Sequence, residues 1–121
     1  MIKQKTALGF EFKQCSLKEA QKLAKNGDVV ILDVRTQEEY LEGHIEGSML
    51  IPYDEIPKKA SDMLADKNVP ILIYCRAGRR SVIAAHMLAN LGYLSLYEFG
   101  GYTIWDQTND WTRQVIDLKK S

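Results

Sequence analysis

The stretch Ile71-Leu72-Ile73-Tyr74-Cys75-Arg76-Ala77-Gly78-Arg79-Arg80-Ser81 decides how this chain is read. Ile71 to Tyr74 form a continuous apolar run rich in β-branched and aromatic side chains, the pattern of a strand buried on both faces. Val82 to Leu91 then place small and apolar residues at helical spacing, and Gly92 supplies a stop. Cys75 therefore stands where a parallel strand ends and a helix begins, the position at which open α/β sheets bind their ligands. Backbone N–H groups at a helix start lack intrahelical partners, and the helix dipole adds partial positive charge there. A loop curling around the sulfur would aim these donors inward as an anion nest, and Gly78 removes the Cβ that resists such curling. Arg76, Arg79 and Arg80 add three guanidinium groups within six residues. Cations and helix N-termini favour thiolate over thiol, so the expectation is a nucleophilic sulfur in an anion-binding cradle. A cysteine after a buried strand is often a small core hydrophobe; the glycine, the arginines and the strand-loop-helix setting together outweigh that reading here.

Outward from this segment, short apolar runs alternate with helix signatures, which predicts an α/β fold with a parallel sheet covered on both faces. Phe10-Glu11-Phe12 alternates like a short edge strand. Ser16 and Glu19 have capping-box spacing before a helix whose apolar face is Leu17, Ala20, Leu23 and Ala24, with Gly27 as its stop. Val29–Asp33 reads as another buried strand. Thr36 and Glu39 repeat the capping box and predict a helix to about Glu42. Ser48–Pro52 reads as a strand, and Asp54–Ala65 as a helix holding Pro57 in its first turn. Leu96–Phe99 would be the last strand, Gly100-Gly101 a sharp turn, and Tyr102, Ile104, Trp105 and Trp111 an aromatic tail packing back onto the domain.

The 121 residues are expected to form a single domain, with a core of about residues 10–112. Lys+Arg and Asp+Glu balance at 16 each, which argues against a general nucleic-acid or anionic-membrane binder. Cys15 and Cys75 are 60 positions apart (75 − 15), so the chain has no Cys-x-x-Cys pair, no disulfide framework and no cysteine-rich zinc site. The apolar runs fall far short of the roughly 18 residues of a membrane span, and the basic start lacks the apolar stretch of about 7–15 residues of a signal peptide. The expected location is the cytoplasm, leaving open a leader already removed.

Loop length separates chemistries. Cysteine-dependent phosphatases place five residues between cysteine and arginine, whereas four separate Cys75 from Arg80. The tighter curl suits one extra sulfur atom better than a phosphoryl group. With Asp33-Val34-Arg35, Glu39-Tyr40 leading into Gly43-His44-Ile45, Gly47-Ser48 before Ile51-Pro52, the Cys75–Ser81 loop and Gly100-Gly101 with Trp105, the chain resembles the rhodanese (sulfurtransferase) family over roughly residues 10–112. The ordered combination is specific, although no single motif is.

The resemblance implies a rhodanese-like three-layer fold, with five parallel strands flanked by helices on both faces. It also implies a catalytic Cys75 cycling between thiolate and persulfide, without a cofactor or metal. The donor would be a small anionic sulfur compound such as thiosulfate or polysulfide, bound by Arg76, Ala77, Gly78, Arg79, Arg80 and Ser81. The acceptor would be a thiol, cyanide or a protein; oligomeric state is left open. Two further readings are a persulfide carrier, sensing or regulatory module (binding and regulatory modules usually lack the cysteine this chain retains) and a phosphatase or arsenate reductase.

Beside the loop, Asp33 and Arg35 are expected to form a polar network supporting it rather than touching substrate. His44 and His86 are read as packed histidines, Cys15 as passive, and Tyr93, Tyr97 and Tyr102 as core or rim aromatics. Ser81 either donates to the sulfur or caps the following helix.

Overall fold

The computed structural model describes residues 1–101, so the expected aromatic tail of Tyr102, Ile104, Trp105 and Trp111 lies outside the described residues. The strands are β1 (Ile2–Lys5), β2 (Glu11–Gln14), β3 (Val30–Asp33), β4 (Met49–Leu50), β5 (Ile71–Cys75) and β6 (Leu96–Gly101). The helices are α1 (Leu17–Asn26), α2 (Gln37–Glu42), α3 (Ile56–Met63) and α4 (Arg79–Asn90). One sheet runs in the order β1-β2-β6-β5-β3-β4. Its five inner and far strands are parallel, as expected, and β1 adds a sixth, antiparallel to β2. The sheet is therefore mixed. Phe12 lies on the second strand, not at the edge, because β1 covers β2 in the register Ile2↔Gln14 to Lys5↔Glu11. With the sequence IKQK, β1 shows no apolar period; its pairing comes from the hairpin, in which Gly9 N–H donates to the Thr6 carbonyl at 2.9 Å.

Both capping boxes form: Ser16 and Glu19 at α1, Thr36 and Glu39 at α2. The expected helix over residues 54–65 divides into a 3₁₀ turn, Tyr53–Glu55, and α3, whose first turn carries Pro57. The strand expected over residues 48–52 shortens to Met49–Leu50, since Ser48 N–H is drawn into a turn onto the Ile45 carbonyl.

Alternation along the strands sorts the core into two layers. Ile71, Ile73 and Cys75 of β5 share one face with Leu32, Leu96 and the apolar side of α3 and α4. Leu72 and Tyr74 face the other way, onto Ala20 and Ala24 of α1, Ile45 and Phe99. Helices thus cover both faces of the sheet, and β5, buried at every position, runs up the middle to deliver Cys75.

The glycine pair after Phe99 is not a turn. β6 continues through it, with Glu98 opposite Ile73 and Gly101 opposite Cys75, so three steps on β6 match two on β5. This is a β-bulge, and Gly100 at φ +91° provides it.

Candidate active site

Cys75 ends β5, and the chain turns through Arg76-Ala77-Gly78 into α4. Gly78 occupies the N-cap with φ +99°, a left-handed conformation that side chains resist, and its N–H donates to Cys75 Sγ at 2.9 Å. The curl is packed from below. A Cβ at Gly101 would stand 2.5 Å from the Arg76 carbonyl oxygen and 2.9 Å from Ala77 Cα, so the absence of a side chain on β6 lets the loop lie flat on the bulge.

Above the sulfur is a pocket of about 280 Å³. Cys75, Arg76, Ala77, Arg79 and Arg80 line it. Tyr53 and Ile83 also line it; nothing in the sequence singled them out, although Tyr53 follows the Ile-Pro step that turns the chain back toward β3, where its N–H meets the Val34 carbonyl at 3.1 Å. Arg80 is committed elsewhere. Its two terminal nitrogens grip Glu39 Oε1 and Oε2 at 2.6 and 2.9 Å. The Arg80 hydrogen bonds hold the Glu39 carboxyl down at about 2, helped by the Thr36 backbone and opposed by burial.

Ser81 points away from the pocket. Its hydroxyl lies 3.4 Å from Cys75 Sγ, 3.1 Å from the Gly78 carbonyl and 2.5 Å from Glu98 Oε2. Sequence reading passed over Glu98, but a signal was present: an acidic residue at an inward position of an otherwise apolar strand must find partners or destabilise the fold. Glu98 is 3% exposed and finds Ser81, the Gly100 N–H and Gln14.

Asp33 and Arg35 form a buried network on the neighbouring strand end. Arg35 donates to both Asp33 oxygens and to the Gly43 carbonyl at 2.6 Å. The Tyr74 hydroxyl donates to Asp33 Oδ2 at 2.6 Å and accepts the Ile45 N–H at 3.0 Å. Burial, then the Asp33 charge, pushes the Tyr74 phenol up, which keeps it a donor. The pair thus braces the Gly43–Ile45 segment and the residue before Cys75. His44 stacks on Tyr40 with ring centroids 3.7 Å apart, its Nδ1 2.8 Å from the Tyr40 carbonyl, and His86 packs edge-on against Phe12. Cys15, beyond β2, has its thiol pushed up to about 12, first by burial and then by Glu19 and Glu98. Tyr93 is buried, its hydroxyl donating to the Ala60 and Leu64 carbonyls. Among the described residues no group of acidic, histidine and cysteine side chains could hold a metal ion, and no helix is long and apolar enough to cross a membrane.

The Rhodanese-like domain family matches residues 16–108. The chain belongs to the rhodanese family. Among similar rhodaneses is the thiosulfate sulfurtransferase PspE of Escherichia coli strain K12, 36% identical over 58% of this chain and 67% of that protein. The thiosulfate sulfurtransferase GlpE of Coxiella burnetii is 36% identical over 78% of this chain and 87% of that protein. A solved rhodanese from E. coli, described with anions, superposes with a TM-score of 0.60 at 33% identity, covering 63% of this chain and 89% of that one.

Proposed function

We propose that this rhodanese is a sulfurtransferase that carries a sulfane sulfur on Cys75. One observation carries the reading: a cysteine sulfur that accepts the Gly78 N–H at 2.9 Å at the base of an arginine-lined pocket. The names of its relatives support sulfur transfer in general, and hence a sulfur donor and an acceptor.

In the reaction, Cys75 as thiolate attacks the outer sulfur of thiosulfate. An Sγ–S bond forms, the S–S bond of the donor breaks, and its electron pair leaves with sulfite. Arg76 and Arg79 line the pocket where the sulfonate would lie, and their planar donors suit its oxygens and the charge departing with sulfite. Arg80, tied to Glu39 in an ion pair, forms a fixed part of the same wall. The outer persulfide sulfur then occupies the pocket until a thiol, cyanide or a protein thiol attacks it and returns the bond pair to Sγ.

Mass spectrometry of the intact protein after thiosulfate treatment should show one added sulfur, mapped to Cys75. Cys75→Ser should take none and lose turnover while keeping its circular dichroism. No adduct from thiosulfate or from polysulfide would overturn the reading, and steady aryl phosphate hydrolysis would replace it with a phosphatase.

A further inference from the structure

Glu98 has no part in the sulfur transfer outlined above, yet it lies one hydroxyl away from the sulfur. Strand alternation places it on the Cys75 face of the sheet, and both its oxygens receive N–H donors. The Gly100 amide donates to Oε2 at 2.8 Å and Gln14 Nε2 to Oε1 at 3.0 Å. The carboxyl is thus an acceptor on both sides, and the 2.5 Å contact with Ser81 takes its proton from the hydroxyl. Ser81 has only that one proton. Its other oxygen acceptor is the Gly78 carbonyl, at 3.1 Å. The hydroxyl therefore turns a lone pair toward Sγ, and the thiol is the donor across their 3.4 Å contact.

We propose that Glu98 is a positioning residue that, acting through Ser81, disfavours negative charge on Sγ relative to negative charge on the outer sulfur of the persulfide. The inference rests on Cys75 being the sulfur carrier and adds what sets its charge state. A charge on Sγ faces the Ser81 lone pair with a carboxylate behind it. A charge on the outer sulfur lies one S–S bond farther out, among the arginines. Among the described residues, the charged and titratable groups around the sulfur are Arg76, Arg79 and Arg80 from the loop and α4, and Tyr53 from the 3₁₀ turn. Behind Arg80 stand Glu39 of α2 and Arg35, whose charges it senses. On the far side of Glu98 is the Cys15 thiol. The cations favour charge at either sulfur; Glu98 is what distinguishes the two.

The test is the rate of iodoacetamide alkylation at Cys75, read by peptide mapping of the full chain from pH 5 to 10. Glu98→Gln should react about three- to tenfold faster than the wild type at pH 7, the size expected for one charge removed at close range through a partly screened medium. The two rates should converge at alkaline pH, where the sulfur is ionised in both. Ser81→Ala, which removes the oxygen that receives the thiol proton, should also accelerate alkylation at pH 7 and provides the readout if E98Q does not fold. Rates equal to wild type in the folded variants, or a ratio constant across pH, would overturn the proposal and leave Glu98 a packing residue. Sulfur loading is scored separately: no adduct from thiosulfate or polysulfide removes the carrier reading and with it the persulfide half of the proposal, whereas an unchanged alkylation profile removes the role of Glu98 alone.

Discussion

Arg80 and Glu39, 41 positions apart, meet in a two-pronged ion pair that ties the start of α4 to the first turn of α2. One of the three loop guanidiniums is thereby a strut rather than an open anion receptor. Glu39→Gln should lower stability by about 1–2 kcal/mol, the range of a well-aligned, partly shielded pair. The pH dependence follows from the depressed carboxyl, which lies at about 2 in the folded state against an ordinary 4.5. The contribution is complete above pH 4.5 and is lost as pH falls through about 2. Urea denaturation curves between pH 7 and pH 2 check this: the gap between wild type and E39Q should narrow only at the acid end.

Gly101→Ala tests the floor of the loop. The new Cβ would collide with backbone at Arg76 and Ala77, which cannot swing aside as a side-chain tip can. A stability loss of about 1–3 kcal/mol is expected, with at least a tenfold fall in the rate of thiosulfate-dependent sulfur loading. Thermal melts and stopped-flow loading rates measure the two effects.

Cys15 should remain a thiol, and so unmodified, under conditions that label Cys75. With its thiol pushed up to about 12, its thiolate fraction at pH 8 is about 10⁻⁴. Peptide mapping after brief iodoacetamide treatment at pH 8 should find adducts on Cys75 only, and Cys15→Ser should leave turnover unchanged.

Asp33→Ala should be the most damaging of these substitutions to the fold. It removes the carboxylate that balances the Arg35 charge, on a residue 2% exposed, and the acceptor of the Tyr74 hydroxyl. Breaking a buried pair from one side costs about 3–5 kcal/mol. Tyr74→Phe, which leaves the Ile45 N–H without its acceptor, should cost about 1–3 kcal/mol. Denaturation midpoints rank the two.

Local signals wrote most of the frame. The capping boxes at Ser16 and Thr36, the apolar run into Cys75 and the stop at Gly92 depend on neighbours three or four residues away, so the sequence displays them. Long-range partnerships were hidden. Glu39 announced itself as a cap, and its grip on Arg80 exists only because α2 and α4 converge at the end of the sheet. Strand β1 has no apolar period and is recruited by a hairpin. The glycine pair read as a turn because a bulge and a turn ask the same freedom of glycine; only the pairing of Glu98 and Gly101 with β5 separates them. Glu98 was visible as an oddity, but its meaning required the third dimension.

The line of hydrogen bonds under Cys75 extends beyond Glu98. Gln14 on β2 holds the carboxylate and in turn accepts from Gln4 on β1, at 2.9 Å. Selection acting on the two outermost strands on that side therefore has a route to the character of the sulfur that leaves every letter of the loop intact. On the role proposed for Glu98, two relatives with identical loops would differ in chemistry, with the cause lying one or two strands away from Cys75.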